Sequence, residues 1–167
     1  MLSIVLTGAA LLSGSKNAAL PEKDIGGTIF LVNRQHVISE QYVPEPLRKT
    51  QVYGMSQSMR EDAATALEEL FQAAQADGIK LSSVSGYRSY SKQSLLYDRK
   101  TKRTGSETEA DKLVARPGAS EHQLGLAMDL ATRNSSTLSE KFGSTPEGQW
   151  VYANCQRFGF IVRYLKG

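Results

Sequence analysis

The stretch Ser120-Glu-His-Gln-Leu-Gly-Leu-Ala-Met-Asp129 sets a histidine and an aspartate on either side of a glycine. Zinc accepts imidazole nitrogen and carboxylate oxygen, and a catalytic zinc keeps three protein ligands and one open position for water. A loop His122 followed by a strand Asp129 can bring both heads to one point, with Gly125 letting the backbone turn sharply between them. Asp129 lies in an apolar run from Leu126 to Ala131. A carboxylate there is costly to bury unless it holds a metal or has a partner. On the residues alone, a structural His–Asp pair is the commoner outcome, and the metal reading stands beside it as the sharper alternative.

Around this stretch, strand and helix signals interleave without a strict βαβ rhythm, which favours an α+β fold. Leu124–Ala131 contains a strand. Upstream, the short apolar runs Gly26–Val32 and Ile79–Ser85 also read as strands. Ala63, Ala66, Leu67, Leu70, Phe71 and Ala74 recur at helical spacing and predict a helix over Ser58–Ala76, closed by Asp77–Gly78. Ser91–Lys102 predicts a second helix with Leu95, Leu96 and Tyr97 on its buried side. Pro44 and Pro46 enforce an irregular stretch between these elements. Pro146–Phe158 reads as a helix, and Phe160–Tyr164 opens another strand.

The 167 residues suit one domain. An apolar content of 40% is enough for an ordinary core. The net charge of +3 is too small to argue for nucleic acid. The lone Cys155 cannot form an internal disulfide or a Cys-based zinc site, and its neighbours Trp150, Val151, Tyr152 and Phe158 predict a core helix and a packed thiol. Leu2–Leu12 is an apolar run that matches the core of a secretory signal and is short for a bilayer crossing. No basic residue precedes Lys16, and a buried strand is the alternative for this run. The expectation is an exported protein, with 1–20 a signal-like, anchor or linker segment and 21–167 the domain. Ser13-Gly-Ser-Lys16 fits a Ser-x-x-Lys pattern, but it lies in the linker and lacks partner motifs.

Four blocks in chain order carry a resemblance: Leu31-Val-Asn33 with Tyr42-Val-Pro44, Ser85-Gly-Tyr-Arg-Ser-Tyr-Ser-Lys-Gln93, Ala115-Arg-Pro-Gly-Ala-Ser-Glu-His122, and the Ser-x-His-x-x-Gly-x-Ala-x-Asp pattern of residues 120–129. Together they resemble the zinc D-alanyl-D-alanine carboxypeptidases and dipeptidases of the VanY and VanX type, in the VanY-like branch. The resemblance implies a Hedgehog/DD-peptidase-like α+β domain with a small, mainly antiparallel sheet flanked by helices. It also implies Zn2+ as cofactor, with His122 and Asp129 as ligands. Arg88 would steady the oxyanion of the tetrahedral intermediate, Ser120 would hydrogen-bond substrate, and Gln93 would line the pocket. The implied reaction removes the terminal D-alanine from a peptidoglycan stem peptide in the bacterial cell envelope, carried out by a monomer.

The same resemblance exposes a departure. In the family a third zinc ligand, a histidine, and a glutamate base lie in a C-terminal Glu-x-Trp-His-x-Arg-Tyr type motif. Phe158–Gly167 resembles the strand just before that motif. The resemblance therefore implies an incomplete chain, with a final strand or strands missing, an exposed sheet edge and low stability. Only two histidines exist, and His36 falls in an early turn where the family has no ligand. Glu121 adjoins His122, and on an extended chain such neighbours point to opposite sides, which makes it a poor replacement base. Two alternatives stay open: a non-catalytic peptidoglycan-binding module and an L,D-carboxypeptidase.

Overall fold

The computed structural model describes residues 2–6, 32–135 and 138–163. In chain order the elements are β1 (Leu2–Leu6), β2 (Leu47–Lys49), β3 (Ser58–Arg60), α1 (Glu61–Ala76), β4 (Leu81–Ser85), α2 (Tyr90–Thr104), α3 (Glu107–Asp111), β5 (Ala127–Thr132), α4 (Pro146–Asn154) and β6 (Phe160–Arg163). The main sheet has the order β4-β5-β1-β6, and every pairing in it is antiparallel. A second, two-stranded sheet joins β2 to β3. This is the expected α+β architecture: a small antiparallel sheet with flanking helices.

The helix α1 follows from its composition. Ala63, Ala64, Ala66, Leu67, Leu70 and Ala74 are all buried, and the small alanines let the helix approach its neighbours closely. Glu61 and Asp62 sit in its first turn, where the helix dipole favours negative charge. The expected start at Ser58 is corrected to Glu61. Ser58–Arg60 pairs with Leu47–Lys49 as β3, so these residues are drawn into a strand. The helix α2 is capped by Ser89, whose hydroxyl accepts from the Lys92 amide at 3.3 Å. It does not bury Leu95 and Leu96 as expected. These are 57% and 36% exposed; Tyr97 is buried as expected, and Gln93 joins it on the inner face.

Leu2–Leu6 departs from the expectation that residues 1–20 stand ahead of the domain. As β1 it lies between β5 and β6, with Ser3 opposite Asp129 on one side and Arg163 on the other. Ile4 is fully buried and Val5 nearly so. Apolar character interrupted only by Ser3, with β-branched Ile4 and Val5, suits a strand paired on both edges. Residues 7–31 lie outside the described residues, and so do most of the Gly26–Val32 strand expectation and the Ser13–Lys16 pattern. Val32 is buried.

One core joins these parts. Ile4, Met59, Leu67, Leu70, Met128, Leu130, Val151 and Phe160 are fully buried within it. Cys155 packs there as expected, and burial raises its thiol pKa. Tyr152, by contrast, is 57% exposed.

The strand β4 carries an irregularity that bears on the site. Ser83 pairs with Leu130 and Ser85 with Asp129, so Val84 is an extra residue on β4. Such a bulge re-aims the side chains beyond it.

Candidate active site

Three loops converge over the face of β5 that carries Asp129. The first runs from Ser85 to Ser89, between β4 and α2. Gly86 has no room for a side chain, because an added Cβ would stand 2.6 Å from the Ser58 carbonyl oxygen. The second is Ser120–Gly125. Glu121–Leu124 forms a single 3₁₀ turn, and Gly125 closes it at φ 70°, the sharp reversal expected there. The third comprises the Glu140–Ser144 turn and the start of α4. Between them lies a cavity of about 1090 Å³, lined among others by Arg88, Gln93, Ser120, Glu121, His122 and Asp129. All five residues singled out in the sequence therefore meet in one place.

The backbone fixes the histidine. His122 Nδ1 lies 2.8 Å from the Gly86 carbonyl oxygen. A carbonyl only accepts, so the proton belongs on Nδ1 and the Nε2 lone pair faces away from that bond. The Arg88 amide donates back to the His122 carbonyl at 3.1 Å. Nε2 then stands 3.4 Å from Asp129 Oδ2, with the carboxylate 3% and the imidazole 13% exposed. The other oxygen, Asp129 Oδ1, is buried and has no hydrogen-bond partner among the described residues.

Arg88 is held from two sides. Its Nη1 donates to Gln93 Oε1 at 2.9 Å, and its Nη2 donates to Ser85 Oγ at 2.8 Å. Burial lowers its pKa, and the Asp129 carboxylate opposes that shift. Gln93 is fully buried, and its amide nitrogen donates to the Ala115 carbonyl. Both polar ends of Gln93 are thus engaged inside the protein. Ser120 is buried at the mouth of the 3₁₀ turn, and its side chain makes no capping bond there.

Comparisons with known proteins identify the family. A family model described as VanY, D-alanyl-D-alanine carboxypeptidase, matches residues 56–167. The Bacillus subtilis protein YodJ is 43% identical over 145 residues, which cover 83% of this chain and 53% of its own length. The chain belongs to the VanY family. A solved structure of the LdcB LD-carboxypeptidase, described with its peptidoglycan recognition, superposes with a TM-score of 0.77 at 42% identity and covers 82% of this chain and 67% of that one. A vancomycin-resistance D,D-pentapeptidase VanY variant in complex with Zn(II) superposes at 0.64 with 35% identity, covering 79% and 74%. The chain spans about half the length of the curated relatives it matches.

In this VanY-family chain, a metal fits what the residues leave unsatisfied. His122 Nε2 and Asp129 Oδ2 are two acceptors facing each other, and Asp129 Oδ1 is a buried orphan. Two such groups repel unless a proton or a cation lies between them, and imidazole with carboxylate is a donor set that zinc takes. Among the described residues no group of three or more His, Cys, Asp or Glu side chains comes together to hold a metal. Among the described residues, His122 and Asp129 are therefore the candidate pair. His36 does not join it, since its ring turns back to Asn33 Oδ1 at 3.2 Å.

Glu121 corrects the sequence reading. It lines the same cavity as His122, because a 3₁₀ turn does not alternate its side chains as an extended chain does. Its carboxylate is 13% exposed and pairs with Arg163 Nε at 3.1 Å, tying the turn to β6. Ser85 opens one of the blocks that carry the resemblance but was given no role. No local signal marks it, since its role depends on the bulge in β4.

Proposed function

We propose that this chain carries the catalytic face of a zinc-dependent carboxypeptidase that removes the terminal D-alanine from peptidoglycan stem peptides outside the cytoplasm. The observation that carries the reading is the 3.4 Å approach of His122 Nε2 to Asp129 Oδ2, with Arg88 and Ser120 on the same cavity. His122 and Asp129 would hold the zinc, which when bound lowers the pKa of its water and polarises a carbonyl. Arg88 has two of its five N–H groups occupied by Gln93 and Ser85, leaving three to meet substrate. A fixed guanidinium of this kind stabilises negative charge that develops on a carbonyl oxygen during attack. Ser120 supplies a hydroxyl at the cavity wall for a polar group of the peptide.

A second reading concerns the bond cleaved. LdcB, described as an LD-carboxypeptidase, superposes more closely and with higher identity than the D,D-pentapeptidase. This supports cleavage after an L-centred third residue. The test is incubation of the zinc-loaded protein with a stem pentapeptide ending in D-Ala-D-Ala and with the tetrapeptide ending in a single D-Ala, followed by mass spectrometry. Loss of D-alanine from the pentapeptide supports the D,D reading, and loss from the tetrapeptide supports the L,D reading. No loss from either, by a protein shown to hold zinc, favours a binding module or a chain without its general base.

A further inference from the structure

We infer that Ser85 is a positioning residue for Arg88, delivered to the active-site face by the bulge in β4 and acting together with Gln93. The argument starts from register. Residues directly opposite one another on antiparallel strands project to the same face. Ser83 lies opposite Leu130 and Ser85 opposite Asp129, so these two serines occupy different faces of the sheet. In a regular strand, residues two apart share a face. The extra residue Val84 breaks that rule.

The hydrogen bonds agree with this assignment. The Ser83 hydroxyl donates to the Met55 carbonyl at 3.1 Å, away from the cavity. The Ser85 hydroxyl instead accepts from Arg88 Nη2 at 2.8 Å. Gln93 Oε1 takes Nη1 from the other side at 2.9 Å, and Gln93 is itself anchored to the Ala115 carbonyl. Two acceptors on two different nitrogens fix both the plane and the roll of the guanidinium, which one acceptor cannot do. Ser85 does not line the cavity, so it acts through Arg88 rather than on substrate.

The same turn also serves the histidine, because the carbonyl of Gly86 receives His122 Nδ1. One bulged strand end therefore orients both the arginine and the imidazole.

This inference rests on the proposed peptidase reading for its catalytic consequence, but not for its geometry, and the test separates the two. The Arg88 Nη resonances, assigned against R88K, are recorded by nitrogen-15 NMR on the full chain. In the parent they are expected as resolved, slowly rotating signals. They should collapse in S85A and in Q93A and return in S85T, which keeps a hydroxyl. Resolved Arg88 signals in a folded S85A protein overturn the inference. On substrates that the parent cleaves, S85A should lower kcat on the order of 10–100-fold with KM little changed, as expected for a misplaced transition-state contact. A change confined to KM also overturns it. A parent that cleaves nothing sinks the peptidase reading, and the NMR comparison then decides the positioning role alone.

Discussion

His122 Nε2 stands 3.4 Å from Asp129 Oδ2, while the Gly86 carbonyl takes the hydrogen bond of the other ring nitrogen, so in the neutral imidazole two acceptors face each other. A buried pair of this kind is a cost in the empty protein and an asset when a cation arrives. Zinc should therefore raise the melting temperature of the parent chain. A ligand at 100 times its Kd stabilises by about 2.7 kcal/mol. H122A and D129N should each lose most of that response, which differential scanning fluorimetry with and without zinc would read. An equal zinc shift in D129N and parent would show that the metal binds elsewhere.

Gly86 links this site to the fold. A methyl group there would meet the Ser58 carbonyl at 2.6 Å and press on Met128 Cε at 3.1 Å. Backbone would have to move, and overpacking of this kind costs on the order of 1–3 kcal/mol. G86A should fall in that range by urea unfolding. It should also weaken zinc binding, since the moved carbonyl is the one that orients His122. A G86A protein as stable as the parent would mean that β3 yields freely.

The site was legible in sequence mainly through its resemblance to the VanY-type family, since on the residues alone a structural His–Asp pair was the commoner outcome. His122, Gly125 and Asp129 lie within one turn and the strand it feeds, so spacing and one glycine allow their convergence. What was illegible depends on partners far along the chain. The β4 bulge exists only against β5, more than forty residues on, and with it Ser85 becomes a partner of Arg88. Glu121 was misplaced because an extended segment and a 3₁₀ turn carry the same residues with different periods. Leu2–Leu6 shows a third cause. The apolar run Leu2–Leu12 reads as a leader with a buried strand as the alternative, and only pairing on both edges of Leu2–Leu6 separates them.

Asp111 gives the wall of the cavity a pH dependence. Its carboxylate takes hydrogen bonds from Arg116 Nε and Nη2, each at 2.9 Å, and from the Tyr97 hydroxyl. The Arg116 bonds are the main cause that lowers its pKa from 3.8 to about 2. The folded chain thus binds this proton less tightly than the unfolded chain does. Its stabilising effect is full at pH values above 3.8 and is lost as the pH falls through about 2. D111N should be less stable than the parent at pH 5, and the gap should shrink toward pH 2. Urea melts of both proteins across that range check the sign. A gap that stays constant would mean the pairing with Arg116 contributes nothing in solution.

The strand β1 is the element whose removal distinguishes most sharply between a leader and a part of the domain. Ile4 is fully buried between β5 and β6, with Met128 opposite it on one side and Val162 on the other. Truncating a core isoleucine to alanine removes buried methyl groups and leaves a cavity, at a cost of about 2–5 kcal/mol. I4A should lose that much by urea unfolding. I4D should do worse, because it places an unpaired charge among apolar neighbours. Without β1 the facing edges of β5 and β6 would lie open to pair with another chain, so I4D is also expected to aggregate on concentration. If I4A and I4D both match the parent in stability and solubility, Leu2–Leu6 lies outside the folded domain and β5 finds another neighbour.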